Sequence, residues 1–177
     1  MRAPQLFSYA LAFLLLLSAC GTTSSNVHEA PAEEFIEVDK FDDAVMQASV
    51  DFPEPLPAGI DWPSIGIDFK DPLVNPDQQR IVIGEGYQDT YISGYWLCAW
   101  MDVYLEAMKT GDGAGQQEGI DNISKYTSLP SQQEHLQNPE EFDSQLVAPA
   151  ALGDPTVLKS YYGSSCGNYV ENNPKAP

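Results

Sequence analysis

Residues 89–110 read DTYISGYWLCAWMDVYLEAMKT, and this stretch decides the fold. At 100° per residue Asp102, Glu106 and Lys109 fall on one narrow stripe, and Tyr95 and Ala99 lie on the same line. The rest of the circumference is apolar, and a helix of that kind must be buried on most sides. The pattern therefore predicts a central helix, with Asp89 as its N-cap and Gly111 as a left-handed stop.

The segment before this helix divides into two parts. Residues 35–50 alternate apolar and acidic side chains at helical spacing, which predicts a short amphipathic helix that starts near Asp39. Residues 51–76 contain six prolines and cannot be helical, because proline lacks an N–H donor and favours extended backbone before it. Their apolar residues favour an extended strap laid over the core. The alternative is a polyproline ligand for another domain.

The segment after the central helix predicts several short helices. The signals are a weak helical pattern, a capping box, and two proline starts preceded by a polar residue: Gly115–Tyr126, Ser131 with Glu134, Asn138-Pro139, and Asp154-Pro155. Only residues 80–84, RIVIG, indicate a strand. We therefore predict one small, mainly α-helical domain over residues 35–171 and a disordered tail over 172–177. The alternative is an α+β fold with a small hairpin around Ile81.

The N-terminus has the three parts of an export signal. A positive charge at Arg2 precedes an apolar run over residues 6–17, and Leu17-Ser18-Ala19-Cys20 follows. In these four residues the chain resembles the bacterial lipoprotein family, whose lipobox is a leucine, two small residues and a cysteine. The resemblance implies a signal peptide over residues 1–19, cleavage before Cys20, and diacylglycerol on its sulfur with acylation of the new amino group. The protein would then be anchored to the cell membrane, on its extracytoplasmic face.

Two alternatives to this lipid anchor are a transmembrane helix and an ordinary secretory signal. The apolar run has about a dozen residues, whereas a membrane span needs about 20. Residues 20–34 are small and polar, so we expect a flexible tether of about 20 Å between the lipid and the domain. The W-x-C-x-W-x3-Y-L pattern of residues 96–105, together with Trp62-Pro63, resembles uncharacterised lipoproteins of actinomycetes, which implies no activity.

Cysteine usage predicts one disulfide. If lipid occupies Cys20, two cysteines remain, Cys98 and Cys166, and an even pair in an exported protein indicates a disulfide. Closing a loop of about 70 residues would stabilise the fold by about 4 kcal/mol. The alternative is a metal site, but neither His28 nor His135 stands at zinc-ligand spacing from them.

The chain is strongly acidic, and this excludes some partners. Its formal net charge of −18 becomes −19 once Arg2 is removed. Such a surface repels phosphate backbones, so we expect no nucleic-acid partner. The acidity favours a solvated, aggregation-resistant surface over the alternative of cation binding or a basic partner.

Motifs for catalysis are weak. Residues 163–167, GSSCG, fit G-x-S-x-G, but a predicted helix precedes Ser165 and no histidine follows it. His135 is the single histidine after residue 34, and no nucleophile in a recognised context accompanies it. Two carboxylates from distant segments could still converge, as in glycosidases. No motif indicates a cofactor or a metal.

The function that these observations favour is a membrane-anchored, non-catalytic envelope module that binds a protein or a small ligand. Its contact surface would include exposed aromatic residues at the edges of the central helix and the strap: Trp62, Tyr95 and Trp96. One alternative is a small extracytoplasmic hydrolase that uses distant carboxylates, and another is a calcium-dependent structural protein.

Overall fold

The structure is a computed structural model, and it describes residues 35–63, 76–77 and 81–174. These residues belong to one compact unit, Glu33–Pro177. Two short strands and eight α-helices are described in them: β1 (Phe35–Ile36), α1 (Phe41–Asp51), β2 (Ile83–Gly84), α2 (Tyr87–Thr110), α3 (Gly113–Ile123), α4 (Pro130–His135), α5 (Pro139–Phe142), α6 (Ala148–Ala151), α7 (Thr156–Ser165) and α8 (Gly167–Asn172). The predicted mainly α-helical fold is confirmed.

Helix α2 is the central helix that the sequence predicts. It has the largest set of buried residues of any described helix, and Trp96, Met101 and Ala99 have no exposed surface. Gly111 ends it in a left-handed conformation, with φ 71°, as predicted. The predicted N-cap is wrong, because the N-cap of α2 is Gly86. Its φ of 87° is left-handed, so the helix begins only at the next residue. Asp89 lies in the first turn instead.

The predicted polar stripe of α2 is correct only in its C-terminal half. Tyr95 and Ala99 lie on the same line but are 5% and 0% exposed. Helix α8 covers this part of α2: the ring of Tyr169 packs against that of Tyr95 with centroids 5.3 Å apart. The sequence pattern does not indicate that α8 buries this part of α2, because tyrosine and alanine occur both on surfaces and in cores.

Helix α3 packs closely against α2 through Gly119. A Cβ placed on Gly119 would lie 2.7 Å from the Cβ of Tyr104, so only glycine allows this approach. Asp112 caps α3, since its carboxylate accepts from the backbone N–H groups of Ala114 and Gly115. The glycine that weakens the helical pattern in the sequence is thus the contact point of two helices.

The described part of the strap, residues 52–63, lies over α2 as predicted. Its apolar side chains pack partly buried against the core: Phe52, Leu56, Ile60 and Trp62. The indole Nε1 of Trp96 donates to the carbonyl of Pro55 at 2.9 Å, and the hydroxyl of Tyr95 donates to that of Asp61 at 3.0 Å. Lys125 also pairs with Glu54 across 2.8 Å. Residues 64–75 of the predicted strap lie outside the described residues.

A second, smaller core joins α1 to the start of α2. Phe41 and Val45 of α1 pack with Ile83 and Ile92, which confirms the predicted amphipathic helix, and a 3-10 turn over Val38–Lys40 leads into it at the predicted start near Asp39. Of the predicted strand at residues 80–84, residue 80 lies outside the described residues, and the structure shows the strand β2 at Ile83–Gly84. It pairs antiparallel with β1, so the strands are distant in the chain and do not form the alternative hairpin around Ile81.

The disulfide between Cys98 and Cys166 is confirmed, and it fastens the junction of α7 and α8 to the middle of α2. The proline start at Asn138-Pro139 is also confirmed. The capping box is wrong: α4 begins at Pro130, and the hydroxyl of Ser131 lies 3.3 Å from that of Ser93.

The expected disordered tail is wrong for its first two residues. Asn172 is the last residue of α8. The side-chain amide of Asn173 donates to the hydroxyl of Tyr95 at 2.6 Å and to the carbonyl of Tyr169 at 3.0 Å. Residues 175–177 of the expected tail lie outside the described residues.

Candidate functional site

The residues predicted to form a contact surface are mostly in the core. Trp96 is 0% exposed and Tyr95 is 5% exposed, so neither offers a surface to a partner. Trp62 is half-buried, with its ring packed against those of Phe52 and Tyr95 at centroid distances of 5.2 and 6.1 Å. The prediction is wrong for Tyr95 and Trp96, because the strap covers the face of α2 that it expected to be open. Cys20, the predicted lipidation site, lies outside the described residues.

The structure instead presents an apolar groove of about 680 Å³ between the C-terminal half of α2 and helices α7 and α8. We call it the apolar groove, and these residues line it: Asp102, Leu105, Met108, Lys109, Pro155, Lys159, Tyr162, Gly163, Val170 and Asn173. Its apolar side chains are incompletely covered; Val170, for example, remains 46% exposed. Small-molecule sites are concavities of about 300–1,000 Å³ with mainly apolar walls, and the groove fits this description.

The two long walls of the groove run antiparallel. Cys98 is bonded to Cys166, and one turn further along α2 the carboxylate of Asp102 accepts from the hydroxyl of Tyr162 at 3.1 Å. The chain therefore advances along α2 while it recedes along α7. Lys109 of α2 and Lys159 of α7 consequently lie toward the same end of the groove, and Asp102 lies toward the other.

The Asp102 end of the groove is a hydrogen-bonded cluster. Tyr162 and Tyr169 donate to the two carboxylate oxygens of Asp102, at 3.1 and 3.4 Å. Burial raises the pKa of both tyrosines far above the ordinary range, and the negative charge of Asp102 raises it further. The two phenols therefore keep their protons at physiological pH and act as fixed donors to Asp102.

The lysine end of the groove is open to solvent. Lys109 forms an ion pair with Glu106 across 2.9 Å, but the two side chains are 64% and 51% exposed. Lys159 is also exposed. In a chain with 8 basic and 26 acidic residues, two lysines beside one apolar groove are a local departure from the overall charge.

A second concavity, of about 530 Å³, is polar. We call it the polar cleft; it lies between α1, the start of α2 and α4, and its polar and charged lining residues are Asp51, Glu85, Gln88, Asp89, Ser131, Glu134 and His135. The imidazole of His135 lies over Gly86, where a Cβ would be 2.9 Å from its Nε2.

One carboxylate of the polar cleft has an altered acidity. Burial raises the pKa of Asp89; the charge of His135 opposes this, and Asp51 and Glu134 raise it further. Gln88 donates to Asp89 at 3.0 Å, while its own Oε1 is buried without a hydrogen-bond partner. A carboxyl group with a raised pKa beside a histidine is a candidate acid–base pair.

The nucleophile-elbow motif does not have the required geometry. Ser165 is the last residue of α7, so a helix and not a strand precedes it, and the neighbouring Cys166 is in the disulfide. Among the described residues, no group of three or more histidine, cysteine and acidic side chains could hold a metal ion. In that same part of the chain, no helix combines the length and apolar character that crossing a membrane requires.

Compared with protein-family models, curated proteins and solved structures, the chain gives no match.

Proposed function

We propose that this chain is a membrane-anchored extracytoplasmic lipoprotein whose non-catalytic helical domain binds an apolar small molecule in the apolar groove. The groove is the observation that carries the proposal. Leu105, Met108 and Val170 line one concavity between helices, and each of them stays partly exposed there. Release of water from an apolar concavity lowers the free energy of the system, which favours binding of an apolar ligand.

The anchor supports the same proposal. The lipobox at Leu17–Cys20 predicts lipid on Cys20, and the tether of residues 20–34 would keep the domain close to the membrane surface. Apolar molecules and envelope proteins are concentrated there, so a domain with an apolar groove would meet its ligand at high local concentration. The net charge of −18 supports neither nucleic acid nor an anionic lipid surface as a partner for the rest of the domain.

Ligand extraction tests this function. The lipidated protein is purified from its own membrane, and bound small molecules are extracted and identified by mass spectrometry. We expect an apolar molecule in an amount comparable to that of the protein. The variant Leu105→Gln/Met108→Gln should lose it, because two polar amides would line the middle of the groove.

The control variant is Val50→Gln, on α1, whose side chain is 77% exposed and does not line the groove. Circular dichroism and the intact disulfide show whether each variant is folded. If the folded groove variant retains the same molecule as the control, the groove is not the binding site.

A second candidate function, a small hydrolase with distant carboxylates, is supported by the polar cleft. Asp89, with its raised pKa, could act as a general acid, and His135 or Glu134 could act as a base. Hydrolysis of a panel of esters and glycosides by the purified protein would test it. Activity that persists in Asp89→Asn would exclude this cleft as its source.

A further inference from the structure

We infer that the ligand of the apolar groove is a single-chain anionic amphiphile, with its acid group at Lys109 and Lys159 and its hydrocarbon chain along Leu105 and Met108. This inference rests on the proposed function and names the chemistry of its ligand. It follows from the unequal distribution of charge in the groove lining: two lysines line it toward one end, one of them ion-paired with Glu106 outside the lining, and the carboxylate of Asp102 lines it toward the other.

The lysine end can accept an anion at low cost. The ion pair of Lys109 with Glu106 is exposed, and exposed pairs of this kind contribute little to stability because solvent screens them. If the ligand's acid group replaces Glu106 as the partner of Lys109, little free energy is lost. Lys159 lies on the facing helix and lines the same groove, so each of the two long walls carries one cation.

The Asp102 end disfavours an anion. Its carboxylate accepts hydrogen bonds from the hydroxyls of Tyr162 and Tyr169, and the raised pKa of each phenol keeps it protonated as a donor to Asp102. A ligand's acid group there would meet a like charge in a partly buried place. The two ends thus give the ligand one orientation.

The overall charge of the protein makes the lysines necessary. With a net charge of −18, the protein repels anions over most of its surface, whereas a neutral apolar molecule meets no such repulsion. An anionic amphiphile would bind at this groove only if Lys109 and Lys159 compensate locally. The preference of the groove for an acid over the matching neutral molecule therefore measures how much the two lysines contribute to binding.

Photo-crosslinking tests the inference on the full lipidated protein in vesicles of neutral phosphatidylcholine. The two probes are dodecanoic acid with a diazirine near its methyl end and the dodecanol with the same diazirine. Mass spectrometry locates the labelled peptides and measures the ratio of acid to alcohol labelling in the groove. We expect both probes to label α2, α7 and α8 at the groove, with the acid in excess.

The variant Lys109→Gln/Lys159→Gln should lower the acid-to-alcohol ratio in the groove by about fivefold, the effect of losing solvent-exposed charge contacts. The matched control is Lys40→Gln, an exposed lysine that does not line the groove, and it should leave the ratio unchanged. Each variant is compared with the wild type in the same vesicles, so the difference in membrane partitioning between the probes cancels.

Two results would overturn the inference, and they are distinguishable. If both probes label the groove but the double variant keeps the wild-type ratio, the groove binds an apolar molecule without regard to its charge; the proposed function then stands and the anionic ligand is wrong. If neither probe labels the groove in the wild type, both the ligand and the groove as its site are wrong.

Discussion

The indole nitrogen of Trp96 donates a hydrogen bond of 2.9 Å to the carbonyl oxygen of Pro55, 41 residues earlier in the chain. Trp100, one turn along α2, donates to the same oxygen at 3.3 Å. Both tryptophans are buried, so each indole N–H needs a partner inside the protein. A single carbonyl of the strap therefore satisfies two donors of the central helix and fixes where the strap crosses it.

We expect Trp96→Phe to destabilise the protein by about 2 kcal/mol. Phenylalanine keeps the aromatic contact but removes a buried hydrogen bond and leaves a small void. Chemical denaturation followed by far-UV circular dichroism measures the change in the free energy of unfolding. The control is Trp62→Phe, a half-buried position on the strap, where we expect less than about 1 kcal/mol. Equal effects of the two variants would mean that the bond to Pro55 does not hold the strap.

The elements that the sequence predicts are those with strong local or covalent signals. The apolar circumference of residues 89–110 predicts α2, prolines predict the extended strap, and cysteine parity predicts the disulfide. Tertiary packing decides which face of a helix another element covers. Local sequence patterns do not indicate this. Tyr95 illustrates this: its place on the polar stripe is correct, but α8 and the strap bury it.

The apolar groove was missed for the same reason. Leu105 and Met108 lie on the apolar side of α2 in the sequence pattern and are indistinguishable there from core residues. Only the packing of α7 and α8 leaves a concavity beside them. The position of Lys109 next to Met108 is the one signal that could have indicated an amphipathic site.

Gly119→Ala should destabilise the protein by about 1–3 kcal/mol, because a methyl group there would lie 2.7 Å from the Cβ of Tyr104 and 3.0 Å from its Cα, and α3 would have to move away from α2. The matched control is Gly94→Ala within α2, where a Cβ meets nothing within 4 Å. There alanine should stabilise by about 0.5–1 kcal/mol through helix propensity. Thermal unfolding distinguishes the two signs, and a stabilising Gly119→Ala would contradict the close helix contact.

Removal of the disulfide should cost about 4 kcal/mol, the chain-entropy value for a cross-link between residues 68 apart. Cys98→Ala/Cys166→Ala is compared with the oxidised wild type by urea denaturation, and the wild type with reductant provides a second measurement. The helices α7 and α8 should lose protection from hydrogen exchange before α3 does, because the bond fastens only the former to α2. Uniform loss of protection in all three helices would contradict this local role.

Asp89 should contribute more to the free energy of unfolding in mild acid than at neutral pH. Burial raises its pKa in the folded state above the unfolded value of 3.8, so the folded state binds more protons between these two pKa values. The contribution of this residue to the free energy of unfolding therefore rises as pH falls through the folded pKa, and the penalty for its buried charge is fully present at neutral pH.

Asp89→Asn removes that charge and keeps an acceptor for Gln88. We expect the variant to be more stable than the wild type at pH 7, with the difference shrinking toward pH 4. Denaturation curves across this range measure it, and a variant less stable at pH 7 would show that the carboxylate is favourably paired in the cleft.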